Sequence, residues 1–231
     1  MKCLLSVCLA IAAVIAGSFV IEAAQTPKLQ KGVSVQMAVA QRASAMPAAD
    51  DENAWVVTIN QDGNLFFGTF AVSRQTLIKQ MTMTPRNREQ NLYIKADACT
   101  PFANVERVLE AGRQVAFETP VLLTAPPRPA AFGTVTPPNG LQILAGPTPA
   151  GKVATVVELL NSGQQQPSLK VNGDEISWSA LESTLMQHFQ KGDEKLILLR
   201  ADAKLPFAQV VQVIDLCRGT GAEVAIGEPT V

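Results

Sequence analysis

The residues of this chain that could do chemistry include a glycine–lysine motif. Residues 146–153 read GPTPAGKV, which fits the G-x-x-x-x-G-K spacing of a phosphate-binding loop. The position after the lysine should be Ser or Thr, whose hydroxyl binds magnesium, and here it is Val153. Pro147 and Pro149 also remove backbone N–H groups from a loop that works by directing N–H groups at phosphate. We therefore predict no nucleotide site and no bound cofactor.

The single histidine, His188, is the next candidate for catalysis or metal binding. A charge relay or a metal site would need Cys, Asp or Glu at ligand spacing around it, and the sequence has none there. We interpret His188 as a solvated residue on a helix. Because no general acid and base are paired elsewhere, we predict no catalytic residue, no metal and a protein that is not an enzyme.

Two aspartates, Asp97 and Asp202, occupy the same place in two copies of one sequence. Residues 95–113 read KADACTPFANVERVLEAGR, and residues 200–218 read RADAKLPFAQVVQVIDLCR. Nine of the nineteen positions are identical at a constant offset of 105 residues. This density of identity indicates an internal duplication.

The repeated aspartates have a structural interpretation and a functional one. Each carboxylate stands just before a predicted helix, where it can accept backbone N–H bonds and interact favourably with the helix dipole. We favour this structural role. A role in partner recognition or proton handling stays open as the alternative.

The elements that position these residues follow the same order in both copies. Each copy has a strand, a hairpin turn and an answering strand, then a helix, a strand ending at Asp-Ala, a second helix and a return strand. In the first copy we expect strands at 55–59, 65–67, 92–96 and 115–123, and in the second at 153–160, 168–171, 196–201 and 223–226. Ser73 should cap the first helix, and Ser179 with Glu182 should form a capping box on its counterpart.

These elements predict an α+β fold with two tandem two-layer domains, each β-β-α-β-α-β with helices on one face of a mixed sheet. Phe102 and Phe207 should occupy equivalent core positions under their helices. Residues 126–149 contain seven prolines, which indicates a stiff linker. The predicted organisation is an apolar segment at 1–24, a first domain at 33–125, a linker at 126–150 and a second domain at 151–231.

Charge and cysteine spacing exclude several classes of partner and site. The net charge is −1 and the nineteen basic residues form no stripe, so nothing favours nucleic acid as a partner. The four cysteines, at positions 3, 8, 99 and 217, have no metal-binding spacing and are predicted to be independent thiols. A Cys99–Cys217 bridge would require the two domains to touch there.

The N-terminus indicates where the protein works. Residues 3–21 carry no charge and are long enough to span a bilayer core. They also resemble a signal peptide with a small-residue cleavage site at Ala16, Gly17 and Ser18, although the run exceeds the usual apolar region. The length favours an uncleaved single-pass anchor in a bacterial inner membrane. In both interpretations the rest of the chain lies outside the cytoplasm, in the periplasm or secreted.

Taken in order along the chain, these features resemble the ExbD/TolR family of energy-transducing envelope proteins. The apolar segment is followed by a V-x-V-x-L-like stretch (Val33, Val35 and Met37), a polar spacer, and the strand–turn–strand VVTINQDGNLFFG. A helix and the strand ending in (R/K)AD complete the pattern, most fully over residues 33–125. The resemblance implies a periplasmic domain that partners an ExbB/TolQ-like membrane protein or other envelope proteins.

The sequence departs from the family pattern in two ways. Members usually carry an aspartate within the membrane span, whereas residues 3–21 contain no carboxylate and Glu22 lies at the boundary. Because an ionisable group in the bilayer would mark a proton relay, we expect any proton coupling to come from other chains. The second departure is the duplication, which would pair two periplasmic domains within one chain.

The leading hypothesis from the sequence is a membrane-anchored, periplasm-facing binding or scaffolding subunit of an envelope transport complex. The candidate partner-binding residues are Val33, Val35, Met37, Asp97 and Asp202. The alternative is a secreted, soluble tandem-domain binder of cell-wall glycan or another envelope component.

Overall fold

A computed structural model describes residues 33–83, 90–128, 136–146, 152–190 and 194–227. The predicted membrane or signal segment at 1–24 lies outside these ranges. None of the helices in the described part of the chain has the length and apolar character needed to cross a membrane.

The first repeat follows a short strand and a 3-10 helix. The two preceding elements are β1 (Ser44–Ala45) and the 3-10 helix Pro47–Asp50. The elements of the repeat are β2 (Trp55–Ile59), β3 (Leu65–Phe67), β4 (Phe70–Val72), α1 (Arg74–Met83), β5 (Leu92–Ala96), α2 (Phe102–Gln114) and β6 (Val121–Thr124).

The second repeat is preceded by two strands in the proline-rich stretch. These elements are β7 (Asn139–Gln142), β8 (Leu144–Ala145), β9 (Thr155–Leu160), β10 (Ser168–Val171), β11 (Asp174–Ile176), the 3-10 helix Trp178–Ala180, α3 (Leu181–Gln190), β12 (Leu196–Ala201), α4 (Phe207–Gly219) and β13 (Glu223–Ile226).

The two repeats have the same sheet topology. The strand order β4-β3-β2-β5-β6 in the first sheet matches β11-β10-β9-β12-β13 in the second. In each, the central strand pairs antiparallel with its hairpin partner and parallel with the strand that ends at Asp-Ala. The α+β fold with two mixed sheets, predicted from the sequence, is confirmed.

Each repeat contains one strand more than the sequence indicates. β4 and β11 extend the first hairpin of their repeats, so the order is β-β-β-α-β-α-β. Both strands have three residues at a sheet edge and are largely exposed. A strand this short and this exposed has no buried face, and it therefore leaves no alternating apolar pattern in the sequence.

Residues 139–145 lie within the stretch for which the sequence indicates a linker, yet they form β7 and β8. β7 pairs antiparallel with β6 of the first sheet, and β8 pairs parallel with β13 of the second. Leu141 and Ile143 are 1% exposed and belong to the core. This run of seven residues therefore joins the two sheets, and it stays ordered because it buries apolar side chains.

Three local expectations differ from the structure. The return strand expected at 115–123 begins only at Val121, because Ala116 adopts a left-handed φ of 63° after the helix. Ser179 lies in a 3-10 turn, and Glu182 bonds to Arg42 instead of closing a capping box. Ser73 does cap α1, since its Oγ accepts the Thr76 N–H at 3.1 Å.

The buried side chains of the two repeats form one continuous core. It includes the two predicted core phenylalanines, Phe102 (1% exposed) and Phe207 (0% exposed). Apolar residues of α1 to α4 and of both sheets complete it. A smaller cluster on the other face of the first sheet packs Tyr93 and Leu123 against Ala49 of the 3-10 helix. The repeats therefore share their hydrophobic core.

Candidate functional site

The two repeats meet through a short antiparallel ladder around Pro101 and Pro206. These prolines face each other as an isolated bridge. Four backbone bonds of 2.8–2.9 Å join the repeats: Phe102 N–H to Leu205 O, Ala103 N–H to Ala203 O, Phe207 N–H to Thr100 O and Ala208 N–H to Ala98 O. Adding 105 to the number of each residue in the first repeat turns one pair of bonds into the other. A pseudo-twofold axis within one chain thus relates the two halves of the junction.

This ladder explains why the two main helices begin without a capping side chain. The first N–H groups of a helix have no partner within it and normally bond to a Ser, Thr, Asp or Asn side chain. Here Pro101 and Pro206 occupy the N-cap positions and make no side-chain cap bond. The carbonyl groups of the opposite repeat take that role. Each helix therefore begins by donating its first N–H groups to carbonyl groups of the loop that precedes its pseudo-symmetric counterpart.

Asp97 and Asp202 lie at the edges of this junction and stabilise its loops. Asp97 Oδ1 accepts the Cys99 N–H at 2.9 Å, and Asp202 Oδ1 accepts the Lys204 N–H at 2.8 Å. Both are Asx turns, in which the carboxylate accepts the N–H group two residues later and so shapes the loop ahead of the helix. The carboxylates lie before the Pro residues rather than at the caps.

Of the other candidate partner-binding residues, Met37 lies beside Asp97. Met37 forms an isolated antiparallel bridge with Asp97, whose Oδ2 accepts the Gln36 N–H at 3.2 Å. Gln36 O in turn accepts the Ala98 N–H at 2.7 Å. Val33 and Val35 are half-buried in this extended stretch, while Asp202 lies in the other repeat. The structure therefore places Met37 against Asp97 at one edge of the junction, and Val33 and Val35 precede this contact along the chain.

The chain then continues from this edge onto the second repeat. We call residues 36–42 the crossing segment: residues 38–40 hydrogen-bond to Ala125 after β6, and residues 41–42 bind α4. Asp215 on α4 accepts the N–H groups of Gln41 at 3.0 Å and Arg42 at 2.8 Å. The Arg42 guanidinium also pairs with Glu182 at 2.9 Å and lies 3.9 Å from Asp215.

Asp215 was not among the residues predicted from the sequence. Its side chain is 9% exposed, on a helix whose neighbouring residues Ile214 and Cys217 are fully buried. A carboxylate beside such residues signals a buried partner, because an unpaired buried charge is very costly. The partner is 174 residues away along the chain, and periodicity carries no information on contacts of that range.

A cleft of about 410 Å³ lies on the other side of the junction, between α2 and residues of the second repeat. We call it the inter-repeat cleft, and its charged lining residues are Arg74, Glu106, Arg107, Glu110 and Arg113. Burial raises the pKa of Glu106 to about 7, and the nearby Arg113 opposes this shift without cancelling it. At neutral pH this carboxyl group is therefore close to half protonated.

The remaining candidate residues take no part in the junction. His188 lies on α3, and within the described ranges no three metal-binding side chains come together. Residues 147–151 of the glycine–lysine motif lie outside those ranges. Cys99 is exposed and Cys217 is buried, and both are free thiols. Burial raises the pKa of the Cys217 thiol to about 12.

Comparison with known proteins places the chain in a family. No curated protein matches it. The family model described as biopolymer transport protein ExbD/TolR matches residues 8–127 and 135–227, and each of these segments contains one repeat. The match covers more than half of the chain, so the chain belongs to the ExbD/TolR family of biopolymer transport proteins.

Proposed function

We propose that this protein is a membrane-anchored, periplasm-facing binding or scaffolding subunit of an envelope transport complex, in which one chain supplies a complete pair of periplasmic domains. Membership of the ExbD/TolR family supports the transport complex and an ExbB/TolQ-type partner. The observation that carries the paired-domain part is the junction of four pseudo-symmetric backbone bonds between the repeats.

The geometry of the junction favours pairing within the chain over pairing between chains. Each half supplies carbonyl groups that the other half needs to begin its helix, and the apolar core is continuous across both. An isolated repeat would leave the first N–H groups of its helix and part of its core in water. Each repeat thus stabilises the other, as two subunits of a dimer do.

The proposal includes two properties of the N-terminal segment. Residues 3–21 would hold the chain in the inner membrane as a single span. Because this span has no carboxylate, other subunits would carry the protons. This chain would transmit force within the complex and organise the binding of its partners. Residues 33–37, of which Gln36 and Met37 contact Asp97 at one edge of the junction, would then be the first folded part beyond the membrane and the place for partner contact.

Intrachain pairing is testable with a disulfide across the junction. Pro101 and Pro206 form a non-hydrogen-bonded antiparallel pair, whose Cα atoms typically lie about 4.5 Å apart. That spacing is within the range of about 4.4–6.8 Å that disulfides accept. We expect a full chain carrying P101C, P206C and C99S to form, on mild oxidation in membranes, a bridge within one chain of 24.6 kDa. The single variants P101C and P206C, each with C99S, are the controls.

Two outcomes would contradict parts of this proposal. A covalent dimer that the double variant forms and neither single variant forms, in place of an intrachain bridge, would show that the repeats pair between chains. For the complex itself, the tagged full chain should resist carbonate extraction and co-purify with an ExbB/TolQ-type membrane protein. Recovery from a soluble extracytoplasmic fraction with an N-terminus near Phe19, and with no such partner, would favour a secreted binder instead.

A further inference from the structure

The inter-repeat cleft has the dimensions and shape of a small-molecule site. Its volume of about 410 Å³ is within the range of about 300–1,000 Å³ typical of ligand pockets. The lining comes from α2 and the start of α1 in the first repeat, and from β8, the loop after β12 and the end of β13. Sites at the boundary of two structural units are common places for ligands to bind.

The charged side chains of the cleft have an excess of positive charge. Arg113 pairs with Glu110 one turn earlier on α2. Arg74 and Arg107 form no ion pair with a carboxylate in the part of the chain that the structure describes. Among the described residues, Arg107 donates to the neutral Asn104 side chain, at 3.2 Å. Two guanidinium groups are thus available to an anion, which they bind in a planar, two-pronged geometry.

Glu106 adds a polar group that lacks a partner. Its Oε1 atom is buried and accepts no hydrogen bond within the described residues. The corresponding residue of the second repeat is Val211, which is fully buried and apolar. A carboxyl group at a position that the duplicated helix fills with valine is costly for folding, since a buried acceptor without a partner loses its hydration. Such a group is typical of a site that a ligand completes.

The rest of the cleft is apolar. Its lining includes Leu109, which is 4% exposed, and Ile226, which is 7% exposed, together with Ala103, Ala145 and Ala203. A ligand here would place an apolar body against these side chains and a charged group against the arginines.

We propose that the inter-repeat cleft binds a small amphipathic anion, a compound with one carboxylate or phosphate group on an apolar body. Arg74 and Arg107 would bind the anionic group, the protonated Glu106 carboxyl would donate a hydrogen bond to it, and Leu109 and Ile226 would contact the apolar body. This site is separate from the junction edge proposed for partner contact, so either assignment can fail alone.

The proposal fixes the sign of a pH dependence. Of the other charged groups that line the cleft, Arg113 favours the ionised form of Glu106. By the sign of their charges, Arg74 and Arg107 would act in the same direction as Arg113 and Glu110 in the opposite direction. Burial still raises its pKa to about 7. Only the neutral form donates a hydrogen bond to an anion, and its share falls from about nine-tenths at pH 6 to about one-tenth at pH 8. The affinity for a carboxylate ligand, whose charge is constant over this range, should therefore be about tenfold lower at pH 8 than at pH 6.

Phenylpropionate and phenyl phosphate are suitable probes, and the uncharged phenylpropionamide is the matched control. Binding to the full chain in lipid nanodiscs would be measured by isothermal titration calorimetry at pH 6 and pH 8. We expect at least one of the anions to bind and the amide not to bind. Which anion binds more tightly distinguishes a carboxylate ligand from a phosphate ligand.

Three variants separate the proposed roles. R107Q should weaken anion binding at least tenfold. E106Q, which stays neutral and keeps a donor, should retain the affinity seen at pH 6 and lose the pH dependence. K170Q, on β10 outside the cleft, should change neither. The proposal would be overturned by the absence of anion binding at millimolar concentration, by equal effects of R107Q and K170Q, or by tighter binding of phenylpropionate at pH 8 than at pH 6. Phenylpropionate is the probe for the pH dependence because it is fully ionised at both pH values, whereas phenyl phosphate has a second pKa of about 6.

Discussion

Replacement of Asp215 by alanine should destabilise the folded chain by about 3 kcal/mol. Asp215 accepts N–H bonds from Gln41 and Arg42, and no other described contact joins the crossing segment to α4 through the backbone. A hydrogen bond to a charged group contributes about 1.5–3 kcal/mol. We take the lower value for each of the two bonds, because the freed N–H groups lie near the surface and regain water.

A matched control is available in the duplicated helix itself. The residue at the corresponding position of α2 is Glu110, which is also a carboxylate and pairs with Arg113 three residues later. Its side chain is 41% exposed, against 9% for Asp215. Exposed helical ion pairs contribute about 0.3–0.5 kcal/mol, so E110A should cost no more than about 0.5 kcal/mol.

The two tryptophans allow both repeats to be followed in one experiment. Trp55 lies in the first repeat and Trp178 in the second. Guanidinium unfolding of the full chain in nanodiscs, read by fluorescence, should show the loss in D215A, and the melting temperature should fall by about 6–12 °C. Hydrogen exchange should rise in residues 38–42 while that of β5 stays slow.

A loss of unfolding free energy below about 1 kcal/mol in D215A, or a loss equal to that of E110A, would contradict this prediction. Either result would mean that the crossing segment does not depend on Asp215. A further check is D215N, which keeps one acceptor oxygen and should lose roughly half as much stability as D215A.

Three further predictions concern other residues. Phe102→Ala and Phe207→Ala should each lower the free energy of unfolding by about 3–5 kcal/mol. Because the core is continuous, the two substitutions should couple by at least about 0.5 kcal/mol in a double-mutant cycle. Strict additivity would show two separate cores. Asp97→Asn should be mild in thermal melts, since Asn also forms Asx turns, whereas Asp97→Ala should cost about 0.5–2 kcal/mol; loss of partner binding in Asp97→Asn with an unchanged melt would instead indicate a recognition role. At pH 8 iodoacetamide should modify Cys99 and spare the buried Cys217, whose raised pKa keeps the thiol protonated; mass spectrometry of equal labelling would contradict this.

Sequence patterns predict this fold where the apolar side chains of an element are buried in the core. The strand pattern of residues 92–96 and the helical face that contains Phe102 and Val105 both match the structure, and each residue of these sets is almost completely buried. The duplication adds a second, independent test, because the same pattern recurs 105 residues later. Local pattern and tertiary burial agree at these positions, as they do in foldable sequences.

The features that sequence reasoning missed depend on contacts between distant parts of the chain. Leu141 and Ile143 lie in a short apolar run between prolines, and only the presence of two sheet edges makes that run a pair of strands. The inter-repeat cleft likewise joins residues from both repeats. The sequence identity between residues 95–113 and 200–218 located the repeated domains, but it gave no information on how the repeats meet.

The surroundings of the junction show how the two copies of a duplicated domain can come to differ. The ladder and the shared core obey the pseudo-twofold axis, because both halves need the same bonds to begin their helices. On the side of α4, Asp215 and Glu182 hold the crossing segment. On the side of α2, the corresponding carboxylate of Glu110 bonds within its own helix, and the surface beside it remains a cleft. Two identical chains in a symmetric dimer could not fill one such surface with their own backbone and keep the other for a ligand. A single chain with two diverged copies can, and this difference gives a physical reason for joining the pair in one polypeptide.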